Sequence, residues 1–309
     1  MAERKKIKAL LLFSGGLDSI LAAKILEKQG ISVTALTFVS YFFDAGQAEK
    51  SARENRIKLI TKDISKEHFK IVRKPKFGRG TGMNPCIDCH LLMLCEAKKI
   101  AASENFDIIA TGEVLGQRPM SQNREALELI GKEAGLSGKI LRPLSAKALP
   151  ETKYETTHVV DRHYMLAVSG RGRREQMALA KKYGIKYYPS PAGGCILTDK
   201  EYSKKLAELF EKSKGVKASD LALLRIGRHF WSGKTRIILG RNHKENLKIK
   251  KLAERGDIII EPKNFPGPTA LVRGKDKEDG IKLAEGKILK YSKKSEYKKP
   301  EFILFKAKP

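Results

Sequence analysis

The chain has 309 residues, of which 62 are Lys or Arg and 35 are Asp or Glu, so its formal net charge is +27. With 41% hydrophobic and 31% charged residues, the composition excludes a disordered chain, and no apolar run is long enough to span a bilayer. Charge this high predicts a polyanionic partner, nucleic acid before an anionic membrane surface. The alternative is a Lys-rich surface of the kind found in heat-adapted proteins.

The first predicted element is a strand. Residues 7–13 (IKALLLF) form a continuous apolar run, which is typical of a strand buried on both faces. The basic residues before it are followed by no small-residue cleavage site, so the run is interpreted as a strand rather than a signal peptide. We therefore expect a cytoplasmic protein without a membrane partner.

Strand and helix patterns then alternate along the chain. Helices are predicted over 20–29, 47–55, 87–103 and 121–132, and strands over 31–39, 57–60, 107–111 and from 140. This alternation predicts an α/β fold, in which helices cover both faces of a parallel sheet. Residues 151–214 are mostly helical in pattern, and short β-rich runs such as 235–239 and 257–260 follow.

Charge marks the last segment. Residues 215–309 contain 24 Lys and Arg against 11 Asp and Glu, so they are more than twice as densely positive as the rest. We predict three segments: an α/β domain (1–150), a mostly helical extension (151–214) and a smaller basic α+β domain (215–309).

A glycine-containing loop separates the first strand from the first helix. It runs Ser14-Gly15-Gly16-Leu17-Asp18-Ser19. Glycines let backbone N–H groups converge on a phosphate, and the helix N-terminus adds positive potential. Ser14 and Ser19 can donate hydroxyl hydrogen bonds, whereas Asp18 suits this place when Mg²⁺ bridges it to the phosphates. The spacing is not that of a Walker loop, and an ordinary turn with a Ser or Asp helix cap is the alternative.

This SGGLDS loop resembles the pyrophosphate loop of the N-type ATP pyrophosphatases, which adenylate a carbonyl oxygen and release pyrophosphate. The resemblance implies that the loop binds MgATP and that Asp18 is catalytic. It leaves the substrate open.

Three of the four cysteines are candidate metal ligands. Cys86 and Cys89 form a C-x-x-C at a predicted loop-to-helix junction, and Cys195 follows two glycines much later in the chain. Three cysteines can hold a 4Fe-4S cluster and leave one iron open, while a fourth thiolate from Cys95 would give a closed zinc or cluster site. Cys95 lies in an apolar helical stretch and is better interpreted as a small buried hydrophobe.

With the pyrophosphate loop, this cysteine pattern resembles the iron–sulfur class of tRNA thiouridine synthetases. The resemblance implies that Cys86, Cys89 and Cys195 hold the cluster and that its open iron carries the transferred sulfide. Without a cluster, a persulfide on Cys195 is the alternative.

A second nucleotide segment follows a short strand. Residues 110–122 read ATGEVLGQRPMSQ, and the motif T-G-E-x-L-G-Q-x-x-x-S-Q is similar to the corresponding segment of ThiI-type 4-thiouridine synthetases. The resemblance implies that Thr111, Gly112 and Gln117 border the nucleotide or the uridine, and that Ala35 to Phe38 flank the adenine. The T-G-H-Y motif of MnmA-type 2-thiouridine synthetases is not matched. Because the chain starts at the first catalytic strand, we expect it to lack the ferredoxin-like and THUMP regions of classical ThiI chains.

The basic C-terminal segment contains G-R-N-x-x-E-N, beginning at Gly240, and Pro266-Gly267-Pro268. This series is similar to the NFACT-R RNA-binding domain. The resemblance implies that the residues in contact with RNA include Arg228, Phe230, Arg241, Asn242 and Lys244. Burial of Trp231 is at least as good an interpretation as base stacking, and the tail from Lys290 to Lys299 adds general positive charge.

Together these observations predict an ATP-dependent tRNA sulfurtransferase that makes thiouridine, with 4-thiouridine favoured over 2-thiouridine. Sulfide or a cysteine desulfurase is the expected sulfur donor. The alternatives are a pyrophosphate-loop ligase for a small molecule and a non-catalytic RNA-binding protein.

Overall fold

The computed structural model describes residues 6–190, 195–292 and 299–307. The chain folds as two units, Met1–Cys195 and Ile196–Pro309. The boundary predicted near residue 214 lies inside the second unit, and the three-segment division remains a prediction.

The first unit contains a parallel four-stranded sheet. Its strands are β1 (Lys8–Leu12), β2 (Ser32–Val39), β3 (Lys58–Asp63) and β4 (Ile108–Thr111), in the order β3-β2-β1-β4. Its helices are α1 (Leu17–Glu27), α2 (Gly46–Glu54), α3 (Ser65–Arg73), α4 (Cys86–Ser103), α5 (Arg124–Glu133), α6 (Lys153–Thr156) and α7 (Arg174–Lys182).

Apolar residues of β1 alternate between two cores. Ala9 and Leu11 pack in a cluster with residues of α1, α2 and α7. Leu10 packs in a second cluster with residues of α4 and α5. Helices therefore cover both faces of the sheet, as the sequence predicts, and both glycine-containing loops follow its carboxyl edge, where α/β folds bind ligands.

The predicted strand from residue 140 is wrong. Leu141 forms a single bridge to Ala110, and Pro143 follows two residues later and cannot donate to a sheet. The helix expected from Ser121 begins at Arg124, because the side chain of Asn123 accepts a hydrogen bond from Ala126 N at 2.7 Å and caps it there.

The second unit has an antiparallel sheet. Its strands are β5 (Arg228–Ser232), β6 (Thr235–Leu239), β7 (Ile258–Pro262), β8 (Ala270–Arg273) and β9 (Phe302–Lys306), in the order β5-β6-β8-β7-β9. Its helices are α8 (Lys200–Lys212), α9 (Ala218–Leu223), α10 (His243–Leu252) and α11 (Lys277–Tyr291).

Alternate residues of β6 face helices on the two sides of this sheet. Ile237 and Leu239 pack with Ala284 and Ile288 of α11, whereas Ile238 packs with Ile249 of α10. The predicted small basic α+β domain is thereby confirmed as a fold.

Candidate nucleotide and cysteine site

Gly15 and Gly16 form a tight turn directly before α1. Gly15 has φ +75°, and a Cβ atom there would lie 2.7 Å from Ala48 Cα. The buried hydroxyl of Ser51 donates to Gly15 O at 2.7 Å, so helix α2 supports the turn from outside. Gly16 is the N-cap of α1 and supplies no side chain to the first helical N–H groups. The turn thus presents an uncapped helix N-terminus, which suits a phosphate.

The loop after β4 packs directly on this turn. A Cβ atom on Gly112 would lie 2.6 Å from Ser19 Cα and 2.7 Å from Ser19 N, so only glycine allows the approach. Gln117 Nε2 donates to Asp18 Oδ2 at 3.0 Å. The structure thus brings together the two segments that the sequence assigns to the nucleotide.

Asp18 has acceptor capacity left over. Its Oδ1 atom is buried and has no hydrogen-bond partner among the described residues. A buried carboxylate oxygen without a hydrogen-bond partner, placed next to a helix N-terminus, suits a hard cation such as Mg²⁺.

The three hydroxyl groups of the site are used differently. Ser19 donates to Gly16 O at 2.8 Å, and Thr111 donates to Glu113 Oε2 at 3.1 Å. Ser14 is exposed, and its hydroxyl accepts from Gly16 N at 3.3 Å. Ser14 is therefore the hydroxyl best placed to reach a ligand.

The residues expected to flank the adenine are buried in β2. Ala35 packs in the core cluster on the α1 side, and Phe38 packs in the cluster on the α4 side. Their assignment to the nucleotide remains a prediction.

The structure groups the three candidate cysteines, although more than 100 residues separate Cys195 from the other two. Cys86 begins α4, Cys89 lies one turn further, and the Cys195 thiol is near enough to act electrostatically on both. Burial raises the pKa of the Cys86 and Cys89 thiols, and the neighbouring thiols raise them further. Residues 191–194, which precede Cys195, lie outside the described residues.

Cys95 lies elsewhere on α4. It packs against the core cluster on that side of the sheet, and burial raises the pKa of its thiol. The charges that act on it are those of Lys99, Lys98 and Glu96. This placement supports the interpretation of Cys95 as a packing residue.

No group of three or more His, Cys, Asp or Glu side chains in the described part of the chain is arranged to bind a metal ion. A single zinc ion needs such a set within bonding distance. In a 4Fe-4S cluster each cysteine binds a different iron, so its ligands lie further apart. Three grouped thiols are the donor type that an iron–sulfur cluster takes, and the assignment of the cluster to these cysteines remains a prediction.

A cluster of ionisable side chains that was not predicted from the sequence lies between the α1 turn and the cysteine-bearing start of α4. Glu113 Oε1 lies 2.8 Å from His90 Nδ1, and Glu113 Oε2 accepts from Arg142 Nε at 2.9 Å. Burial alone would raise the pKa of Glu113, but Arg142 and His90 outweigh it and lower the pKa to about 2. His90 thus pairs with a carboxylate through Nδ1. The Glu of the T-G-E motif was the available signal.

In the second unit, Arg228 and Phe230 lie on the face of β5 turned to α11. The Arg228 guanidinium lies 4.4 Å from the centre of the Tyr291 ring, and Lys287 Nζ lies 4.6 Å from that of Phe230. The Tyr291 and Phe230 rings are 6.2 Å apart. These cations cover aromatic faces that base stacking would otherwise use.

The other candidate RNA residues lie at the start of α10. Arg241 forms an ion pair with Glu245, and Asn242 Oδ1 accepts from Glu245 N at 3.0 Å as the helix cap. Lys244 is exposed. Trp231 is half-buried, with Lys212 Nζ 5.2 Å from its ring centre. Residues 293–298 of the basic tail lie outside the described residues.

Among the described residues, no helix has the length and apolar character needed to cross a membrane.

These features define an α/β unit with a parallel sheet, followed by a small basic α+β unit. Residues 5–149 match the family model of the thiamine biosynthesis protein ThiI. Residues 227–306 match the model of the NFACT protein RNA binding domain. The chain therefore contains a ThiI-family domain and an NFACT-R domain, as the resemblances implied.

Individual relatives match parts of the chain. A probable tRNA sulfurtransferase of Brevibacillus brevis is 33% identical over 145 residues, covering 45% of this chain and 35% of the relative. A tRNA-specific 2-thiouridylase MnmA 1 of Clostridium tetani is 24% identical over 236 residues, covering 69% of this chain and 60% of the relative. The chain spans about a third of the length of the tRNA sulfurtransferases it matches.

Among solved structures, a 4-thiouridine synthetase–RNA complex with bound ATP has 23% sequence identity and a TM-score of 0.37. It covers 58% of this chain and 51% of that one.

Proposed function

We propose that this protein is an ATP-dependent tRNA sulfurtransferase that converts a uridine to thiouridine. The observation that carries the proposal is that the loop after β4 lies between the α1 turn and the cysteines at the start of α4. Gly112 and Gln117 contact the turn at Asp18, while Arg118, next in the chain, acts electrostatically on Cys86. These contacts support a proposed nucleotide site that neighbours a group of three thiols in one unit.

In the proposed reaction a uridine carbonyl oxygen attacks the α-phosphorus of ATP, and pyrophosphate leaves. The sulfur of hydrosulfide then attacks the activated ring carbon. The hydrosulfide is supplied as sulfide, or it is released from the persulfide of a cysteine desulfurase by a thiol, which forms a disulfide with the desulfurase cysteine. AMP leaves with the original oxygen.

The residues of the turn have defined tasks in this scheme. The N–H groups at the start of α1 and the Ser14 hydroxyl hold the phosphates, and Asp18 Oδ1 holds Mg²⁺. These fixed donors stabilise the charge that develops as pyrophosphate leaves, because they are oriented before the reaction begins.

Cys86, Cys89 and Cys195 are the residues that would hold a 4Fe-4S cluster. When bound, such a cluster supplies an open iron that can carry the transferred sulfur. Arg118 brings positive charge to this side of the site, where it can attract an anionic sulfur donor.

We favour 4-thiouridine over 2-thiouridine because residues 5–149 match the ThiI model. The NFACT-R domain and the net charge of +27 support tRNA as the substrate rather than a small molecule.

The first experiment tests sulfur transfer. The full chain is incubated anaerobically with a tRNA transcript, MgATP and sulfide, and the digested nucleosides are analysed by mass spectrometry. We expect 4-thiouridine with the wild type and with Cys95→Ala, and none with Cys195→Ala. Pyrophosphate release that requires a small molecule and no tRNA would contradict the proposal.

The second experiment tests the cluster. Iron and sulfide are counted after anaerobic purification, with Cys95→Ala as the matched control for Cys195→Ala. We expect about four irons in the wild type and the control, and loss in Cys195→Ala. Zinc that persists through reconstitution with iron and sulfide would exclude the cluster, and a metal-free active protein would favour a persulfide on Cys195.

A further inference from the structure

Glu113 lies between the α1 turn and the start of helix α4, which carries Cys86 and Cys89. It directly follows Gly112, whose backbone packs against Ser19 at the start of α1. Its carboxylate contacts His90 in the first turns of α4, one residue after Cys89. Glu113 therefore connects the loop that packs on the α1 turn to the start of α4 through a single side chain.

Three hydrogen-bond partners surround the carboxylate of Glu113. His90 Nδ1 lies 2.8 Å from Glu113 Oε1. Arg142 Nε donates to Glu113 Oε2 at 2.9 Å, and the Thr111 hydroxyl donates to the same oxygen at 3.1 Å. An ionised carboxylate only accepts hydrogen bonds, so Nδ1 of His90 carries the proton. Removal of either partner would leave the buried carboxylate of Glu113 with fewer hydrogen bonds to compensate its charge, so the contacts favour holding the three elements together.

The start of α4 has a second, separate attachment. Asp88 accepts from Lys76 N at 2.9 Å and from Phe77 N at 3.0 Å. This contact holds the same helical turn to the segment before it and has no part in the nucleotide turn. The chain thus offers a matched control in the turn that carries the cysteines.

We propose that Glu113, acting through His90, is a positioning residue that couples nucleotide binding at the α1 turn to the order of the cysteine helix. This inference rests on the proposed function, because it requires that ATP binds at the turn. Binding of ATP fixes the turn and the loop that packs on it, and the Glu113–His90 contact then orders the first turns of α4. Reciprocity requires that occupation of the cysteine site also strengthens ATP binding.

The test measures coupling rather than activity. Hydrogen–deuterium exchange of peptides from the start of α4 is followed by mass spectrometry on the full chain, with and without MgATP, and ATP affinity is measured by calorimetry. In the wild type we expect ATP to slow this exchange by about fivefold or more, the lower end of typical coupling between sites. In His90→Ala and Glu113→Gln we expect that slowing to be lost.

His90→Ala should keep ATP affinity within about twofold of the wild type, because it leaves the Glu113–Arg142 pair in place. It carries the test if Glu113→Gln fails to fold. Asp88→Asn should speed exchange in both states and retain the ATP-dependent ratio, which separates coupling from local loosening.

Two results would overturn the inference. One is a normal ATP-dependent slowing in His90→Ala, and the other is a wild type that binds ATP without any change at α4; both leave the proposed function standing. A wild type that does not bind ATP would overturn the proposed function and, with it, this inference.

Discussion

Gly112→Ala tests whether the close packing of two loops creates the nucleotide site. The new Cβ atom would lie 2.6 Å from Ser19 Cα and 2.7 Å from Ser19 N, whereas ordinary contacts begin at 3.4 Å. The obstructing atoms are backbone, so no side chain can rotate away. The loop after β4 and the α1 turn must separate by about 0.8 Å, a displacement large enough to disturb a site that depends on positioning.

Overpacking of this kind costs about 1–3 kcal/mol, which for a unit of this size lowers the melting temperature by roughly 2–12 °C. We expect the affinity for MgATP to fall by about tenfold or more, equivalent to about 1.4 kcal/mol, because Gln117 moves away from Asp18. Calorimetric titration with MgATP measures the affinity, and thermal unfolding measures the stability.

Gly172→Ala is the matched control. It lies in the same unit, and a Cβ atom there meets nothing within 4 Å, so we expect no change in either measurement. If Gly112→Ala binds ATP within about twofold of the wild type, the packing of these two loops does not create the nucleotide site.

Three further predictions concern the second unit. In helix α11, Gly286→Ala should raise the free energy of unfolding by about 0.5–1 kcal/mol, because its Cβ enters open space. Gly280→Ala should lower the free energy of unfolding by about 1–3 kcal/mol, because its Cβ would lie 2.7 Å from Thr235 Cγ2. Urea unfolding measures both variants, and equal effects would contradict the packing of α11. Hydrogen bonds from Arg241 help to lower the pKa of Glu245 from 4.5 to about 2. The wild type should therefore be more stable than Glu245→Gln by about 2–3 kcal/mol above pH 4.5, and it should lose this advantage as the pH falls towards about 2. A difference in urea unfolding that does not change with pH would contradict this prediction. Lys244→Ala should weaken tRNA binding and reduce the slope of log K against log salt by about 0.9, as measured by filter binding across salt concentrations; an unchanged slope would show that Lys244 makes no phosphate contact.

The fold of the first unit could be predicted because the sequence signals for it are local. The continuous apolar run of β1 and the glycines after it lie next to one another in the sequence, and they fix both the buried strand and the turn. Helix α3 was missed because one of its two buried residues is His68, which does not register as apolar. Burial lowers the pKa of His68 to about 4, so the side chain is neutral and packs as an aromatic ring against Phe42 and Phe43.

The grouping of the cysteines was predicted by residue type, whereas the Glu113 cluster was not. Cysteines outside a disulfide framework serve mainly as metal ligands or redox groups. Three of them therefore suggest one site even when they are far apart in sequence. Glu, His and Arg occur on every protein surface. His90 and Arg142 lie 23 and 29 residues from Glu113, and no spacing rule connects them. Only the fold reveals that His90 and Arg142 meet at the buried carboxylate of Glu113.

The G-R-N-x-x-E-N motif shows how a family motif can preserve structure rather than contacts. Asn242 caps α10, and Glu245 Oε2 accepts hydrogen bonds from Arg241 N and Gly227 N. Asn246 Oδ1 accepts from Thr269 N at 3.2 Å. Each of these side chains is engaged within the unit, so the motif specifies how α10 joins the sheet.

The affinity of this unit for RNA must then come mostly from exposed cations outside the motif's internal contacts. Lysines such as Lys244 give affinity for phosphates and no sequence information. Stacking is restricted as well, since Arg228 and Lys287 lie over the Tyr291 and Phe230 rings. We therefore expect the NFACT-R domain to bind RNA with steep salt dependence and weak sequence preference. In the proposed enzyme, the choice of uridine would then be made at the nucleotide and cysteine site, where the target base must fit.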